Sequence, residues 1–446
     1  MESLVVLFWN WSRTVVLSSV PGTASTRAGT LVSWWQRRAV HNLTRDGLLL
    51  FVTRFFRLFS YGALSIVLVL YLTGLGLSES QTGLLLTLTL LGDTVVSLSL
   101  TTQADRIGRR RMLIIGAILM AAAGLTFACT RSFLFLVLAG TIGVISPSGN
   151  EVGPFLPIEQ AALSQVVPAR ERTGVFAWYA LTGALATATG SLFAGLVTQA
   201  LERAAVPMIA SERSIVFMYG GIGVVLGSLF RRLSPAIEVR QDADVATGAR
   251  TLFGIGSSRP VVLRLAGLFA LDAFGGGFVV QSFAAYWFYL RFGVSPATLG
   301  GVFFGANVFA GLSALLASRL AARFGLVQTM VFTHLPSNIL LILVPLMPNL
   351  PLAILVLLLR FSISQMDVPT RQSYTMAIVR PEERSAAAGI TGVARTTGAA
   401  MAPVFAGILF ARPKLINLPF FIAGTLKITY DLLLYRAFVD LRPPEE

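Results

Sequence analysis

Apolar runs about twenty residues long recur along the whole chain, which is the length that a helix needs to cross the hydrocarbon core of a bilayer. Residues 91–111 show how one run passes to the next: an apolar stretch that contains one acid, Asp93, ends in a short basic loop before the following run begins. The loop is Asp105-Arg106-Ile107-Gly108-Arg109-Arg110-Arg111. Arg and Lys in short loops stay on the cytoplasmic side, so this stretch predicts orientation as well as a lipid environment.

The composition excludes an ordinary soluble fold. Of the 446 residues, 55% are hydrophobic and 13% are charged, whereas soluble chains carry about 25% charged residues. The net charge of +14 fits basic loops beside anionic lipid headgroups, and we expect no nucleic-acid partner. With one cysteine, Cys129, and two distant histidines, His41 and His334, the sequence predicts no disulfide within the chain, no metal site and no cofactor.

Apolar length and chain breaks predict an all-α membrane protein with twelve transmembrane helices in two six-helix repeats. The fourth run is too long for a straight crossing and contains several Pro and Gly between Pro147 and Pro157, so we expect it to be kinked or unwound beside a cavity. The predicted spans are residues 49–72, 82–103, 112–129, 133–167, 173–198, 214–230, 263–290, 297–318, 326–347, 350–379, 385–410 and 417–435.

Loop charge predicts that both termini are cytoplasmic, because loops placed inside carry 16 Arg and loops placed outside carry 6 Arg or Lys. We expect the inner, or plasma, membrane. The predicted organisation is a cytoplasmic tail at 1–47, a six-helix bundle at 48–230, a cytoplasmic linker at 231–262, a second bundle at 263–436 and a cytoplasmic tail at 437–446.

Two segments 212 residues apart repeat without gaps. Pro157-Ile158-Glu159-Gln160 aligns with Pro369-Thr370-Arg371-Gln372, and the inner loops that follow them align as well. A weaker match relates residues 317–325 to 101–108. Both matches fall at equivalent span numbers, so the sequence predicts a six-plus-six duplication in which Glu159 and Arg371 occupy equivalent positions.

These features resemble the major facilitator superfamily of secondary transporters. The loop from Asp105 to Arg110 is similar to the family's loop between spans two and three, although Thr101 stands where the family has its first Gly. The inner-loop sequences at 170–172 and 382–384 are also similar, whereas span five lacks the Gly-Pro pair of the family's antiporters. The resemblance covers residues 49–436 and implies alternating access, with spans 1, 4, 7 and 10 around a central cavity.

The resemblance also implies a gate at the basic loop. Asp105 is expected to accept from the N-terminus of span eleven, where free N–H groups favour an acid, and so to hold the cytoplasmic side shut. The alternative is that the loop only sets orientation. The predicted gating loop is Asp105, Arg106, Gly108, Arg109 and Arg110, with the arginines paired to inner-loop acids such as Glu171.

Charged residues at bilayer depth cost about 3 kcal/mol or more, so we expect them to face a cavity or a partner. Arg360, Asp367 and Arg371, spaced by 7 and 4, share one sector of a single predicted helix. The candidate substrate and proton cavity consists of Arg54, Arg57, Glu151, Glu159, Asp272, Arg360, Asp367, Arg371 and Gln372.

Within that set, Glu159 is expected to meet Arg371 across the cavity. Glu159 would take up a proton while Arg371 or Arg360 holds an anionic group. The alternatives are that the pair is a structural latch between the halves, or that Glu159 lies too near the cytoplasmic end to take part. Glu151 either lines an unwound polar segment or pairs with Arg54 and Arg57, which share a helix face by their i,i+3 spacing.

Other polar residues favour structural roles. Lys427 and Asp431 have the i,i+4 spacing of an ion pair, and His334 is expected to be a buried polar residue. Asp93 is expected either to join the gating network or to make a polar contact with span eleven. Arg395 is a candidate to pair with Asp105 or Asp93 as part of the gate. Asp272, with Gln281, could line the cavity, and the aromatic run from Tyr286 to Tyr289 is typical of an interfacial belt.

The sequence therefore predicts a proton-coupled secondary transporter of a small organic solute, monomeric in the bilayer, with efflux favoured over uptake. An uptake permease, or a receptor or scaffold that binds without transport, are the alternatives. We find neither catalytic residues nor a nucleotide-binding stretch, so an enzyme is not expected.

Overall fold

The computed structural model describes residues 43–168, 171–238, 258–380 and 383–439, and these form helices joined by short loops without any strand. Most of the predicted tails and the centre of the predicted linker lie outside these residues. The α-helices are α1 (Arg45–Gly74), α2 (Glu79–Ile107), α3 (Arg109–Cys129), α4 (Phe133–Ile142), α5 (Phe155–Val166), α6 (Arg172–Arg203), α7 (Met208–Phe230), α8 (Arg259–Gly277), α9 (Gln281–Phe292), α10 (Pro296–Phe324), α11 (Leu326–Leu343), α12 (Leu350–Phe361), α13 (Asp367–Ile378), α14 (Arg384–Phe410) and α15 (Leu418–Phe438).

The helices account for twelve crossings. Ten helical stretches, with α8 and α9 taken together, are long and apolar enough to span a membrane, and α4 and α12 are shorter apolar helices. The pairs α4–α5, α8–α9 and α12–α13 correspond to predicted spans four, seven and ten, each broken near its middle. The prediction of an all-α protein with twelve spans is confirmed, and three of the spans are discontinuous.

The break in span four is the one that the sequence predicts. Residues 143–154 leave the helix, and Gly149 and Gly153 adopt φ of +70° and +78°, where a side chain would be strained. The break in span seven, at 278–280, follows three consecutive glycines and was not predicted. A continuous helix through span ten is wrong: α12 ends at Phe361 and α13 begins at Asp367. Pro369 explains this, because its ring would clash with the carbonyl of Gln365 in an unbroken helix, yet fits the first turn of a new one.

The internal repeat is visible in the helix bounds. Helices α5 and α13 begin at 155 and 367 and end at 166 and 378, so both bounds differ by 212 positions. Two single-residue turns are also equivalent, since Gly108 joins α2 to α3 with φ +115° and Gly325 joins α10 to α11 with φ +88°. Only glycine adopts these angles without strain, which explains why the weak sequence match between these loops ends in Gly.

The first half (α1–α7) and the second half (α8–α15) meet along two helix pairs, α6 with α10 and α2 with α14. Small residues let the backbones approach closely at these contacts. A Cβ added to Gly300 would lie 2.7 Å from the Ser191 carbonyl oxygen, and one added to Gly83 would lie 2.4 Å from the carbonyl oxygen of Pro403. Each pair is therefore packed backbone to backbone.

Polar contacts also join the halves, toward the end of the bundle that loop charge predicts to be extracellular. Gln281, at the start of α9, donates to Ser65 Oγ at 2.7 Å and to Ser191 Oγ at 3.2 Å. The adjacent Ser282 N–H donates to the Pro147 carbonyl at 3.1 Å. The breaks in spans four and seven are thus hydrogen-bonded to each other.

The predicted aromatic belt is wrong for most of its members. Trp287 and Phe288 are fully buried and Tyr286 nearly so, while Tyr289 is exposed. Trp287 Nε1 donates to Asn417 Oδ1 at 2.9 Å, and the Tyr286 hydroxyl donates to Glu79 Oε1 at 2.8 Å. The belt rule assumes a helix with one lipid-facing side, whereas α9 is packed between both halves.

On each side of residues 239–257, hydrogen bonds hold the bordering segment to the half of the protein that it belongs to. After α7, the Ser234 N–H donates to Asp46 Oδ1 at 3.0 Å, and the Glu238 carboxylate accepts from the Arg109 N–H at 2.7 Å. Before α8, the Ser258 N–H donates to Glu383 Oε2 at 3.1 Å. The first two contacts lie within the first half and the third lies within the second.

Candidate functional site

Arg57 and Glu159 form a fully buried ion pair in the first half. Arg57 Nη1 and Nη2 donate to Glu159 Oε1 and Oε2 at 2.6 and 2.8 Å, which is the bidentate geometry of the strongest Arg–carboxylate pairs. Glu159 also accepts from the Tyr179 hydroxyl at 2.5 Å and from Thr53 Oγ1 at 3.4 Å. Helices α1, α5 and α6 are therefore linked through one carboxylate.

Glu151 extends this pair into a first-half network. Its carboxylate lies 3.2 Å from Arg57 Nη2 and contacts Arg54 Nη1. Glu151 comes from the unwound segment of span four, which brings a second acid to the two arginines of α1. Of the two alternatives for Glu151, the structure shows the contact with Arg54 and Arg57, and the network holds two acids and two bases. Tyr179 packs beneath Arg54, whose Cζ lies 4.3 Å from the ring centroid.

A second network surrounds Asp272 in the second half. Lys427 Nζ donates to Asp272 Oδ1 at 2.6 Å, and Arg371 Nη1 donates to Oδ2 at 3.2 Å. Arg371 also lies 3.1 Å from Asp367 Oδ2, one helical turn earlier on α13. All four side chains are buried, so α8, α13 and α15 are held together by ion pairs in a medium that does not solvate charge.

His334 and Asp431 complete this second-half network. His334 Nδ1 lies 2.8 Å from Asp431 Oδ1, and Nε2 lies 3.7 Å from Asp272 Oδ1. Asn338 Nδ2 donates to Asp431 Oδ2 at 2.9 Å. The predicted pair of Lys427 with Asp431 is therefore wrong. Lys427 binds Asp272 on α8, and Asp431 binds residues of α11, because each finds a better-placed partner on a neighbouring helix than on its own.

Asp272, His334 and Asp367 offer ligand atoms within 4.8 Å of one another, a spacing that would also suit a metal ion. Two fixed cations occupy the same carboxylates, because Lys427 contacts Asp272 and Arg371 bridges Asp272 and Asp367. A metal ion would have to displace both. We therefore interpret the group as an ion-pair network.

Glu159 and Arg371 do not pair in this structure, contrary to the expectation from their equivalent positions. Each is bound within its own half, Glu159 by Arg57 and Arg371 by Asp272 and Asp367. Symmetry predicted equivalent helix positions correctly, but it gave no information on which neighbouring helix supplies the partner.

The other predicted cavity residues lie around the second-half network. Arg360, at the end of α12, is half-buried and stacks on Phe361 at 4.9 Å. The break in span ten separates Arg360 from Asp367, so the expected single-helix sector does not exist. Arg395 of α14 lies within electrostatic reach of Arg371 and Asp272, where it does not serve the expected contact with Asp105 or Asp93. Gln372 is exposed.

The predicted gating loop has a different contact from the one expected. Asp105 Oδ1 accepts from Arg109 Nε at 2.8 Å, and the Asp105 side chain is 64% exposed. The acid at a helix N-terminus is instead Glu238, which accepts from the backbone N–H groups of Arg109 and Arg110 at the start of α3. The expected contact between Asp105 and span eleven is therefore not made in this conformation.

The side chains of the loop bind backbone. Arg109 Nη1 donates to the carbonyls of Ala161 and Ile237 at 3.2 and 3.0 Å, and Arg110 Nη1 donates to the Leu233 carbonyl at 3.1 Å. Arg106 is exposed. The loop thus ties α3 to α5 and to the segment after α7, all within the first half.

Asp93 occupies a buried position of its own. Only 8% of the residue is exposed, and its carboxylate faces the backbone of Gly153, in the unwound part of span four. Helix α2, which carries it, packs on α14, but the Asp93 carboxylate faces the unwound segment before α5. Its expected role as a contact to span eleven is therefore not seen.

Sequence reasoning missed several polar residues of the two networks. Tyr179 was not singled out, and Asn338 had no signal beyond its place in an apolar run. His334 and Asp431 were recognised but assigned separate structural roles. One signal was available in the sequence. His334 and Asn338 are four residues apart on α11 and therefore share a face of that helix.

Comparisons with known proteins agree with this architecture. A family model described as Major Facilitator Superfamily matches residues 50–361 and, in a second match, 265–446. The uncharacterized membrane protein YJR124C of Saccharomyces cerevisiae is 32% identical over 427 residues, which cover 89% of this chain and 95% of that protein. The quinolone resistance protein NorA of Staphylococcus aureus strain MRSA252 is 30% identical over 112 residues, 25% of this chain and 28% of NorA.

A solved structure shows the same fold at low sequence identity. It is a bacterial homologue of the human lysosomal transporter Spinster in an inward-facing and unoccupied conformation, with a TM-score of 0.68 and 15% identity. The match covers 92% of this chain and 98% of the other. At this identity the likeness concerns the arrangement of the helices alone.

Proposed function

Because the chain belongs to the major facilitator superfamily, we propose that it moves a small organic solute across its membrane by alternating access, and that the solute carries an acidic group. The chain is an integral membrane protein of a transporter family. The chemistry of the solute and the coupled ion are inferred from the charges that the helices carry.

The observation behind the acidic group is the contrast among the arginines of the bundle. Arg54, Arg57 and Arg371 each contact a carboxylate. Arg360 and Arg395 are half-buried, and no ion pair holds either one in the part of the chain that the structure describes. A guanidinium at bilayer depth without an acid is costly, and an anionic group of the solute would supply the missing charge.

The two networks support proton coupling. Glu159 and Asp272 are carboxylates buried at bilayer depth on α5 and α8, and such residues mark proton relays in transporters. A proton bound at either network changes the ion pairs that hold several helices together. We assign the proposed substrate and proton site to the predicted cavity residues on α1, span four, α8 and span ten, together with Arg395 on α14.

A ligand screen followed by a flux assay tests the proposal. We expect organic anions to raise the unfolding temperature of the detergent-purified protein more than sugars, amino acids without net charge or cationic drugs, since a ligand stabilises the state that it binds. The best ligand is then followed in proteoliposomes under a pH gradient of each direction. Binding without flux would support the receptor alternative, and a response to cations alone would contradict the acidic group.

Substitution of the two unpaired arginines tests the site. We expect Arg360→Gln and Arg395→Gln each to weaken binding of the screened anion about tenfold, the loss that corresponds to about 1.4 kcal/mol. Arg412→Gln, at an exposed arginine of the loop before α15, is the control and should bind as the unchanged protein does. Equal affinity in all three variants would show that the anion binds elsewhere.

For direction and location, we propose efflux across the plasma membrane, with both termini in the cytoplasm. The partial match to a quinolone resistance protein and the charge of the loops support this. Protease-cleavable tags at the two termini should be cut in everted vesicles and protected in right-side-out vesicles. Cleavage of one tag in each preparation would require an odd number of crossings and would overturn the topology.

A further inference from the structure

His334 is held between two carboxylates at the centre of the second-half network. Its Nδ1 lies 2.8 Å from Asp431 Oδ1, and its Nε2 lies 3.7 Å from Asp272 Oδ1. The residue is 5% exposed, and the ring stands edge-on to Tyr430 at 5.9 Å. A neutral imidazole carries one N–H and presents a lone pair at its other nitrogen, whereas an imidazolium donates from both. This position between two acids therefore suits the imidazolium.

The Nδ1 side is satisfied in either charge state. Two bare acceptors would not lie 2.8 Å apart, so a proton sits between Nδ1 and Asp431 Oδ1. Asn338 Nδ2 donates to Asp431 Oδ2 at 2.9 Å and so fixes the orientation of the acid. The variable proton is therefore the one on Nε2, which faces Asp272.

Charges of both signs surround His334. Asp431, Asp272 and Asp367 bring three negative charges, and Lys427 and Arg371 bring two fixed positive charges. A charged imidazole supplies the third, so that the contact network becomes neutral when Nε2 is protonated. A buried network is least costly when its charges balance.

Other charged groups on the surrounding helices act on this network only from longer range, as Arg360 and Arg395 do on Asp272. No ion pair links any of them to His334 or to the acids that it contacts, among the residues described here. They are Arg319 and Arg323 at the end of α10, Arg360 on α12 and Arg395 on α14, and the further titratable neighbours are Tyr374 on α13 and Tyr430 on α15.

We propose that His334 is the group that takes up and releases the coupled proton, through Nε2. The inference rests on the proposed transport function and names the residue at which it is coupled to protons. Only the Nε2–H bond forms or breaks, and the proton exchanges with water. Protonation adds a third cationic contact to Asp272, which already binds Lys427 and Arg371. Each proton event therefore changes how firmly Asp272 holds Arg371, a residue of the proposed substrate site.

The chain contains only two histidines, His41 and His334, which permits a direct measurement. In the His41→Gln variant, labelling with 15N-histidine gives the ring signals of His334 alone. In lipid nanodiscs without substrate, we expect both ring nitrogens to be protonated at about pH 6 and one to lose its proton by about pH 9. A ring that is neutral at pH 6, or that keeps one charge state over the whole range, would overturn the proposal.

A pair of matched variants tests the cause. Asp431→Asn removes one acid from the ring, and we expect the imidazolium signal at pH 7 to fall at least about threefold. Asp93→Asn removes another buried acid, in the first half, and should leave the signal unchanged. The same loss in both variants would show that the network does not set the charge of His334. If Asp431→Asn does not fold, the titration of the His41→Gln protein still decides the question.

The measurement needs no solute, so the two proposals fail in different ways. A His334 ring that titrates in a protein that transports nothing would contradict the proposed function. Proton-driven flux through a protein whose His334 never changes charge would contradict the proton site and leave the transport function standing.

Discussion

Arg57 is stabilised entirely by what it touches, because none of its side chain reaches solvent. Glu159 binds two of its nitrogens, Glu151 lies beside one of them, and the ring of Phe155 packs against the guanidinium at 4.7 Å. A buried charge of this kind becomes very unfavourable as soon as its partner is removed. Substitution of Arg57 with and without substitution of Glu159 therefore shows how much of its role is to balance the charge of Glu159.

We expect Arg57→Leu alone to lower the free energy of unfolding by about 3–5 kcal/mol, since it leaves Glu159 charged and unpaired. The double variant Arg57→Leu with Glu159→Leu removes both charges and leaves Glu151 to Arg54, so it should recover much of that loss. Denaturant unfolding in mixed micelles measures both. A double variant as unstable as the single one would mean that the pair is needed for more than charge balance.

The role of His334 gives a second prediction at the residue scale. We expect His334→Gln to lose solute accumulation driven by a pH gradient, down to the level of protein-free liposomes, because it cannot carry the charge. Exchange of labelled for unlabelled solute at equal pH requires no net proton movement and should persist. The solute is the best ligand of the thermal screen, and His41→Gln is the control. Loss of both activities would indicate a folding or binding defect.

Single residues also show what the sequence could and could not predict. The sequence offered the contact of Glu151 with Arg54 and Arg57 as one of two alternatives, because i,i+3 spacing places both arginines on one helix face. Lys427 and Asp431 satisfy the i,i+4 rule equally well and do not pair. Spacing along one helix predicts proximity, but Asp272 on α8 lies closer to Lys427, and no local pattern contains that information.

At the scale of elements, the sequence predicted the break in one of the three discontinuous spans and missed the other two. The break in span four was predicted from Pro147 to Pro157, since several helix breakers in series leave little choice. Pro369 alone did not signal the break in span ten, because one proline is compatible with a kink as well as with a new start. The break in span seven follows three consecutive glycines, but the contacts that Ser282 and Gln281 make there with the first half are tertiary, and the sequence did not predict them.

Helix packing between the halves gives a matched prediction on α10. A Cβ on Gly300 would lie 2.7 Å from the Ser191 carbonyl oxygen, whereas one on Gly301 meets no atom within 4 Å. We expect Gly300→Val to weaken the contact of α10 with α6 by about 1–3 kcal/mol, as overpacking does, and Gly301→Val to have little effect.

The reactivity of a cysteine placed beside Gln281 measures how firmly α10 and α6 are held together. In a Cys129→Ser background, which has no other cysteine, Ser65→Cys introduces a thiol at a fully buried position. Its reaction with a soluble maleimide should be about tenfold faster with Gly300→Val, since 1.4 kcal/mol is tenfold in an equilibrium, and unchanged with Gly301→Val. Equal rates in the two variants would show that the contact does not control access.

For the whole molecule, the sequence predicted the number of crossings, the repeat and the family, because each depends on patterns that extend over hundreds of residues. The 212-residue offset between Pro157 and Pro369 reappears in the bounds of α5 and α13. Apart from the pairing of Glu151, the distribution of ion pairs was not predicted, since equivalent positions in the two halves carry different residues, Glu159 and Arg371. The boundaries of the two bundles and the side of the membrane stay predictions.

The fastening of Glu238 to α3 and of Ser258 to Glu383 has a consequence for how the protein can be made. In each half, a hydrogen bond holds the segment that borders residues 239–257 to that half. The halves contact each other through α6 with α10 and α2 with α14. The association of the two halves therefore depends little on the covalent link between them. We expect a gene divided within residues 239–257 to yield two polypeptides that purify together after coexpression. Recovery of either fragment without the other would mean that the single chain is required for assembly.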